Sequence, residues 1–308
     1  MEEKLPKVCV IMSTYNGEKF VETQIKSILE QKDVEIDLHV FDDVSKDKTQ
    51  EIVREYENKY SNVTLHVNEK NKNYTYNFID GLFLFKNEEK YDYYAFSDQD
   101  DFWVNDKLSV AINKLKEIGD CSLYCSNLTI VDEGLNKVGR TYRALDFTFG
   151  KHEQLLRCLV MGCTSVFDKS FKNLATKYYP ENLIYHDYWI GLIADYTKDA
   201  HFFWDKDPEH ILYRQHGKNA SGGEIKIGFS KIMSILFKGK RINFHILRLF
   251  LKYYEQDIDD ETKDFINRFI NYKKNKKFIK KHLECKNKKV WNILIQFGRL
   301  REKRIDEM

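Results

Sequence analysis

Proline, paired cysteines and long apolar runs are scarce in this chain of 308 residues. Only 3 prolines occur, so the sequence holds no proline-rich linker and no PxxP ligand motif. The 6 cysteines include no CxxC pair, and their spacing predicts neither a zinc site nor a disulfide framework. No run approaches the roughly 18 consecutive apolar residues that a membrane-spanning helix needs. These absences predict against a disulfide scaffold, a zinc-finger protein and an integral membrane protein.

The first residues also lack the features of a secretory signal. MEEKLPKVCVIMSTYNG begins with acidic residues, becomes free of charge only from Val8 and turns polar again after Met12. A signal peptide needs a longer uninterrupted apolar region. We therefore expect a cytoplasmic protein.

What the sequence does contain is typical of a folded protein of enzyme size. Hydrophobic residues make up 42% of the chain and aromatic residues 14%, which excludes disordered and low-complexity classes. Strands and helices alternate at the start: an apolar run at 8–12 predicts a buried strand, and helical spacing predicts a helix over 18–31. The same alternation continues with strands at 36–41, 63–67 and 93–97, a helix capped by Ser45 and a helix over 74–86. This order predicts an α/β fold with a mostly parallel sheet, whose strand ends form the ligand-binding edge.

The pattern becomes mixed after a helix predicted over 106–118. Short strands are predicted near 123–131, 164–168, 200–204 and 211–214, with helices near 152–160 and 185–196. From residue 226 the sequence is helical in character. We therefore expect a boundary near Gly222 and Gly223.

The region from 226 to 308 differs in charge from the rest of the chain. It holds 22 Lys and Arg against 10 Asp and Glu, whereas residues 1–225 hold 28 against 38. A basic tail predicts an anionic partner, either nucleic acid or an anionic membrane leaflet, and a solvated helical face is an equally good explanation. Two apolar stripes accompany the charge: Leu247, Phe250, Leu251 and Tyr254, and then Val290, Trp291, Leu294, Ile295 and Phe297.

Three carboxylates follow the strand predicted at 93–97. Asp98, Asp100 and Asp101 crowd the end of that strand, where their repulsion is costly unless a cation is close. Carboxylates two residues apart can take adjacent positions around Mg²⁺ or Mn²⁺ and leave other positions for phosphate oxygens. Taken alone, the cluster fits an acidic turn without a role equally well.

The ends of the first two strands favour a nucleotide site. Asp43 closes the second strand and Tyr15 follows the first, so both lie near Asp98 if the sheet is parallel. The tyrosine ring can stack on a base, and a carboxylate can accept a hydrogen bond from the imide N–H of uracil or thymine. For Asp43, the role of a helix N-cap stays open.

Five segments, in this order, resemble the family 2 glycosyltransferases, which are inverting, nucleotide-sugar-dependent enzymes with the GT-A fold. They are VIMSTYNGEKFVETQIKSILEQ, DDVSKDKT, SDQDDFWVNDKL, HDYW and YRQHGKN, and they span about residues 7 to 220. Within the family they look most like bacterial rhamnosyltransferases and related enzymes of cell-wall, capsule or O-antigen polysaccharide synthesis. The resemblance implies a GT-A catalytic domain over residues 1–225 and a basic C-terminal helical region over 226–308. Val44 stands where family members often carry Gly in a DDGS turn.

The resemblance implies roles for residues on the donor side. Asp98 and Asp100 match the family's DxD motif, and the expected cofactor is Mg²⁺ or Mn²⁺, which offsets charge on the leaving diphosphate. Asp101 is a candidate to brace them. By resemblance the metal ligands are Asp98, Asp100 and His216, and the donor-binding residues are Thr14, Tyr15, Asp43, Asp98, Arg214 and Asn219.

On the acceptor side the resemblance implies that Asp187 is the general base. A sugar hydroxyl is a poor nucleophile at pH 7, and a carboxylate beside it can take its proton. Taken alone, Asp187 fits a helix N-cap better than a base. The acceptor-side residues implied by the resemblance are Gly162, Cys163, Thr164, His186 and Trp189.

Together these features predict a metal-dependent, inverting glycosyltransferase. By resemblance it moves rhamnose from dTDP-rhamnose to a saccharide or lipid-linked saccharide in the synthesis of bacterial surface polysaccharide. Two alternatives stay open: a nucleic-acid-binding protein that acts through its basic tail, and a nucleotidyltransferase, although STYNGEKF is a poor match to a glycine-rich triphosphate loop. The expected partners are a dTDP- or UDP-sugar and its acceptor, without nucleic acid. The C-terminal helices are expected either to dock on the inner face of the membrane or to form a homodimer.

Overall fold

A computed structural model describes residues 4–138, 153–156, 158–207, 210–216 and 244–271, together with residues 274, 275 and 277. The first part of the chain alternates strand and helix, as its apolar pattern predicts. The elements are β1 (Lys7–Thr14), α1 (Val21–Leu29), β2 (Glu35–Asp42), α2 (Thr49–Lys59), β3 (Val63–Val67), α3 (Asn73–Leu84) and β4 (Tyr93–Ser97).

Shorter strands and further helices follow. They are β5 (Phe102–Trp103), α4 (Lys107–Ile118), β6 (Ser122–Ser126), β7 (Thr129–Val131), α5 (Glu153–Leu156), β8 (Val166–Asp168), α6 (Lys169–Ala175), α7 (His186–Tyr196), β9 (His201–Asp205), β10 (Ile211–Arg214), α8 (Phe244–Tyr254) and α9 (Asp260–Ile270). A 3-10 turn, Gly162–Thr164, precedes β8.

Within the described residues, seven strands form one sheet in the order β3-β2-β1-β4-β8-β6-β9. β1 pairs in parallel with β2 and β4, and β8 is antiparallel to both of its neighbours. A second, three-stranded sheet has the order β5-β10-β7. The predicted α/β architecture with a mostly parallel sheet is therefore confirmed.

The large sheet divides the apolar core into two parts, as the strand β1 illustrates. Its side chains alternate across the sheet, so Cys9 and Ile11 pack with the core on the side of α3, α7 and α8. Val8, Val10 and Met12 pack on the other side, with α1 and α4. Because both faces are covered, β1 is apolar at nearly every position, as buried parallel strands are.

Helix α8 packs onto the body of the protein. Its buried residues Phe250 and Tyr254 contact the indole of Trp189 in α7, with ring centroids 6.2 and 5.6 Å apart. The Tyr254 hydroxyl donates a hydrogen bond to the carbonyl oxygen of Leu174, at 2.9 Å. The apolar stripe that begins at Leu247 is therefore core. The boundary predicted near Gly222 lies outside the described residues and stays a prediction, as does the stripe from Val290.

One predicted helix cap is wrong. Ser45 does not cap α2, which begins at Thr49 after Lys48 as N-cap residue. The Ser45 backbone N–H and hydroxyl instead donate to the carboxylate of Asp42, at 2.8 and 2.5 Å. Asp42 is fully buried and outcompetes the helix end for the hydroxyl.

We also searched the helices for candidate membrane spans. In the part of the chain that the structure describes, none is long and apolar enough to cross a bilayer.

Candidate functional site

The ends of β1, β2 and β4 meet at one edge of the large sheet. Thr14 pairs with Asp42, and Met12 pairs with Ser97, so the loops that follow these strands are neighbours. The Tyr15 backbone N–H donates to Oε1 of Gln99 at 2.8 Å, and Nε2 of Gln99 donates back to the Tyr15 carbonyl at 3.1 Å. These bonds join the loop after β1 to the acidic loop, which we define as residues 98–101.

Gly17 makes room for that junction. A Cβ atom at Gly17 would lie 2.2 Å from Oε1 of Gln99, which is closer than such atoms approach. The ring of Tyr15 is 49% exposed beside this junction, where it can stack on a flat ligand.

The two carboxylates at the end of β2 have different surroundings. Asp42 accepts hydrogen bonds from Thr14 Oγ1 (2.9 Å) and Gln50 Nε2 (2.7 Å), besides those from Ser45. Thr14 is thus committed to holding Asp42 and lies buried beneath the site. These bonds hold the turn between β2 and α2, and the role of Thr14 in donor binding stays a prediction.

Asp43 is the residue of this turn that faces the neighbouring loop. It is buried, and its Oδ1 accepts from the backbone N–H of Lys72 (2.8 Å) and from Nδ2 of Asn68 (3.0 Å). It does not cap α2, so that alternative reading does not describe the structure. These two bonds fix the carboxylate in place, and its role in binding a base stays a prediction.

The acidic loop concentrates negative charge in a poorly solvated place. Burial, the Asp100 carboxylate and the Asp187 carboxylate raise the pKa of Asp98 to about 7, and the Cys163 thiol acts in the opposite direction. Burial, followed by Asp100 and Asp98, also raises the pKa of Asp101 well above its ordinary value. An added cation would relieve this repulsion.

The carboxylates fit a divalent cation. Side-chain atoms of Asp98, Asp101 and Cys163 lie within 4.8 Å of one another, and Oδ2 of Asp101 is buried without a hydrogen-bond partner in the described chain. Oδ2 of Asp100 lies 2.7 Å from Nε2 of His216, so the structure brings together two of the predicted ligands. Oxygen ligands suit Mg²⁺ and Mn²⁺, whereas the thiol does not.

Arg214 braces the acidic loop from β10. Its backbone N–H donates to Oδ1 of Asp101 (3.3 Å), and its Nε donates to the carbonyl oxygen of Asp100 (2.9 Å). The guanidinium also donates to the carbonyl of Glu133 and lies 4.6 Å from the centre of the Phe20 ring. The predicted donor-binding residue Asn219 lies outside the described residues.

Asp187, in the second half of the chain, lies close enough to the acidic loop to interact with Asp98. It lies in the first turn of α7, where Tyr185 is the N-cap residue, and its Oδ1 accepts from the Tyr188 N–H at 2.8 Å. Its charge contributes to the raised pKa values of both Asp98 and Tyr74. Tyr185 is the N-cap residue, so the N-cap alternative does not describe Asp187.

His186, the first residue of α7, is buried next to Asp187 in the candidate site. It is only 5% exposed, it stacks on Phe78 with ring centroids 4.3 Å apart, and burial lowers its pKa to about 3. A Cβ atom at Gly162 would lie 2.4 Å from Nε2 of His186, so only glycine fits there. Neither ring nitrogen of His186 has a hydrogen-bond partner within the described residues.

The remaining predicted acceptor-side residues lie deeper. Cys163 is buried against Asp98 and Asp101. Thr164 is fully buried, and its hydroxyl donates to the carbonyl oxygen of Met161 at 2.9 Å. Trp189 is also fully buried and packs on α8. The structure therefore brings Gly162, Cys163 and His186 to the carboxylates and keeps Thr164 and Trp189 in the interior.

Sequence reasoning missed two residues of this site. Tyr74, in the first turn of α3, is 43% exposed, its ring lies edge-on to His186 at 5.9 Å, and burial together with Asp187 raises its pKa to about 12. Lys107 is 2% exposed beside Asp101 and Cys163, and burial lowers its pKa to about 7. A signal existed for Lys107, because it precedes Ala111 and Leu115 at helical spacing on the apolar face of α4.

Comparisons with known proteins identify the family of this chain. The family model of Glycosyl transferase family 2 matches residues 9–174. The chain is 34% identical over 228 residues to dTDP-rhamnosyl transferase RfbG of Shigella flexneri, which covers 70% of this chain and 74% of that protein. It is 28% identical over 195 residues to UDP-Glc:alpha-D-GlcNAc-diphosphoundecaprenol beta-1,3-glucosyltransferase WfgD of Escherichia coli, which covers 61% of this chain and 70% of that one.

A solved structure shares the fold. The crystal structure of S. aureus TarS in complex with UDP-GlcNAc superposes with a TM-score of 0.59 and 19% sequence identity, over 94% of this chain and 80% of that one. The residues that match the family model, 9–174, include most of β1, the end of β2 and the acidic loop. The chain is therefore a glycosyltransferase and belongs to glycosyl transferase family 2.

Proposed function

We propose that this protein transfers a sugar, by inversion and with a divalent cation, from a nucleotide sugar to a saccharide acceptor in the synthesis of bacterial surface polysaccharide. The observation that carries the proposal is the convergence of Asp98, Asp100 and Asp187. Asp187 follows Asp98 by almost ninety residues in the chain, yet its charge contributes to the raised pKa of Asp98. A donor group and an acceptor group held that close together are what group transfer requires.

On the donor side, Asp98 and Asp100 would hold Mg²⁺ or Mn²⁺, with His216 beside Asp100. When bound, the ion supplies positive charge that offsets the charge developing on the leaving diphosphate. Arg214 keeps the acidic loop in position through its bonds to Asp100 and Asp101. Tyr15 and Asp43 would receive the base, by stacking and by accepting its imide N–H.

On the acceptor side, Asp187 would act as general base. It takes the proton of the acceptor hydroxyl while the hydroxyl oxygen attacks the anomeric carbon on the face opposite the diphosphate. The bond to the diphosphate breaks as the new glycosidic bond forms, so one displacement inverts the configuration. Tyr74, which is exposed beside Asp187, would contact the acceptor sugar.

The names of two relatives support our proposals for the donor and the acceptor. RfbG is named a dTDP-rhamnosyl transferase, so we propose dTDP-rhamnose as donor. WfgD is named for an acceptor linked to diphosphoundecaprenol, and a lipid-linked saccharide is accordingly the acceptor that we propose. Such an acceptor lies at the membrane, so we place the enzyme in the cytoplasm, peripheral to the inner face of the membrane.

A donor screen tests this function. Release of nucleoside diphosphate is measured from dTDP-rhamnose, UDP-glucose, UDP-galactose and their N-acetyl forms, with Mg²⁺, with Mn²⁺ and with EDTA. We expect the highest rate with dTDP-rhamnose and no turnover in EDTA. Asp100→Asn, which removes charge that balances the cation, should abolish turnover. Full activity of Asp100→Asn in EDTA would reject the metal site, and a preference for another sugar would reject the donor.

A further inference from the structure

Gln99 lies between Asp98 and Asp100, the two carboxylates proposed to hold the cation, yet its side chain contacts a different loop. Its Oε1 accepts the Tyr15 N–H at 2.8 Å, and its Nε2 donates to the Tyr15 carbonyl at 3.1 Å. One amide thus pairs with both backbone groups of one residue, as a residue of a paired strand does. The backbone pairing of β4 with β1 ends at Ser97, so the Gln99 side chain continues that pairing beyond the strands.

The rest of the loop after β1 is held from another direction. The next three backbone N–H groups donate to side chains of residues 45–49: Asn16 to Ser45 (2.9 Å), Gly17 to Thr49 (2.8 Å) and Glu18 to Asp47 (3.1 Å). Tyr15 therefore lies where two anchors meet, and Gln99 is the anchor on the side of the acidic loop. The position of the Tyr15 ring depends on both.

The packing around the Gln99 amide leaves it little freedom. A Cβ atom at Gly17 would lie 2.2 Å from Oε1 and 2.5 Å from Cδ of Gln99, so the amide lies directly against the Gly17 backbone. Tyr15 itself is 49% exposed. Because half of this side chain lacks protein contacts, the bonds of its backbone contribute most to where the ring is presented.

We propose that Gln99 is a positioning residue for the nucleotide base: it presents the Tyr15 ring to the base, while Asp98 and Asp100 on either side of it serve the cation. The proposal rests on the proposed function, because it gives the acidic loop a second task at the same donor site. A ring that is already in position loses less conformational freedom when a base stacks on it. Loss of the Gln99 amide should therefore weaken binding of the base and leave binding of the cation and the diphosphate unchanged.

The test separates the base from the diphosphate. Calorimetry measures the affinities for dTDP, UDP and inorganic pyrophosphate with Mn²⁺ present, and for Mn²⁺ alone, in the unaltered protein and in Gln99→Met. Methionine has a similar length but neither hydrogen-bonding group. Because two hydrogen bonds are lost, we expect dTDP and UDP to bind about fivefold weaker, and pyrophosphate and Mn²⁺ to bind as before. Gln99→Ala, which also removes the bulk beside Gly17, should give the same result.

A double variant tests whether Gln99 acts through Tyr15. Tyr15→Ala removes the stacking ring and should weaken dTDP binding by about tenfold. In that background Gln99 positions no ring, so adding Gln99→Met should weaken dTDP binding no further. Additive losses in the double variant would mean that Gln99 acts on the nucleotide without Tyr15, which would overturn the proposal.

Gln31 provides a matched control. This buried amide also pairs with backbone groups: its Oε1 accepts the Leu108 N–H (3.0 Å), and its Nε2 donates to the Val104 carbonyl (2.7 Å). These bonds join the end of α1 to the start of α4 rather than to the loop after β1. Gln31→Met should therefore lower the melting temperature and leave the affinities for dTDP, UDP and pyrophosphate unchanged.

The outcomes keep this inference apart from the proposed function. If the unaltered protein binds neither dTDP nor UDP, the proposed donor site is wrong and this inference is wrong with it. If it binds either nucleotide, but Gln99→Met leaves that affinity unchanged or weakens pyrophosphate equally, the donor site stands and Gln99 has no separate task in base binding. Normal dTDP affinity in Gln99→Ala, or an equal loss in Gln31→Met, would also reject the role of Gln99.

Discussion

At the residue scale, Asp187 is the group with the most direct proposed role in the chemistry. Asp187→Asn keeps an oxygen that can accept the Tyr188 N–H but cannot take a proton from the acceptor, so turnover should fall by roughly a hundredfold or more. Donor affinity and melting temperature should stay unchanged. Turnover is measured as release of nucleoside diphosphate in the presence of acceptor, and donor affinity by calorimetry.

Glu181→Gln on the exposed segment before α7 is the matched control for Asp187→Asn, and it should behave like the unaltered protein. If Asp187→Asn instead lost donor binding and regained near-normal turnover at saturating donor, Asp187 would belong to the donor site. The reaction would then need another base.

His186 should make the fold sensitive to acid. Its pKa is about 3 in the folded protein and about 6.5 in the unfolded chain, so the folded state binds fewer protons. The contribution of His186 to the free energy of unfolding is therefore constant above about pH 6.5. Below that pH the free energy of unfolding falls by up to about 1.4 kcal/mol per pH unit, until the pH reaches about 3. In His186→Phe this loss should disappear, because the site is lined by Phe78 and Phe96 and holds no ionisable group at that position.

The free energy of unfolding in urea is measured at pH 7 and pH 5, for the unaltered protein and for His186→Phe. His39, whose pKa burial also lowers, to about 4, is present in both, so the difference between their slopes isolates His186. Equal slopes in the two proteins would show that folding does not lower the pKa of His186.

The sequence predicts some of these residues and not others for a physical reason. Asp43 and Asp98 follow strands, and parallel strands end at one edge, so their neighbourhood follows from the alternation of elements. Lys107 and Trp189 lie on helices whose packing partners come from distant parts of the chain. Which of their faces is buried depends on those partners, and spacing within one helix does not reveal them.

At the scale of elements, the turn between β2 and α2 carries strain at Val44. Its φ of 66° lies in the left-handed region, which a β-branched residue adopts only at a cost of about 1–2 kcal/mol. The turn is held by the bonds from Ser45 to Asp42 and from the Asp43 N–H to the Thr14 carbonyl. This is the position where family members often carry Gly, so the turn keeps its shape without the residue that suits it.

Val44→Gly should therefore stabilise the protein. Relief of strain exceeds the extra entropy of glycine in the unfolded chain, so we expect a gain of about 0.5–1 kcal/mol and a melting temperature higher by about 1–3 °C. Val44→Ala keeps a Cβ at positive φ and should gain little, which makes it the control. If Val44→Gly melted at a lower temperature than Val44→Ala, the assignment of strain to Val44 would be wrong.

Element positions are more predictable than element partners. β3, β4 and β10 occupy the predicted residues, because their apolar runs are short and bounded by polar turns. The strand predicted near 123–131 is instead β6 and β7, which belong to different sheets. The reversed direction of β8 is likewise a matter of long-range pairing, on which the pattern of a single strand carries no information.

At the scale of the whole molecule, the basic charge lies mainly beyond the described body. Helices α8 and α9 bury their apolar faces in the core, so they are not free to dock elsewhere. Residues 272–308 hold 13 Lys and Arg against 4 Asp and Glu and include the stripe from Val290 to Phe297. If the enzyme meets a membrane-bound acceptor through its C-terminal region, these residues are the ones that would bind the bilayer.

Liposome co-sedimentation tests this docking. Each Lys or Arg near an anionic bilayer contributes about 1 kcal/mol, so the full chain should bind vesicles that contain anionic lipid, and salt should weaken the binding. Removal of residues 279–308 takes away 9 Lys and Arg and the apolar stripe, and it should abolish binding while the melting temperature of the body is kept. Trp291→Asp should weaken binding, because an apolar contact with the bilayer is lost. Equal partitioning with neutral and anionic vesicles, or no binding by a dimer that Trp291→Asp dissociates, would show that the stripe joins two copies of the chain.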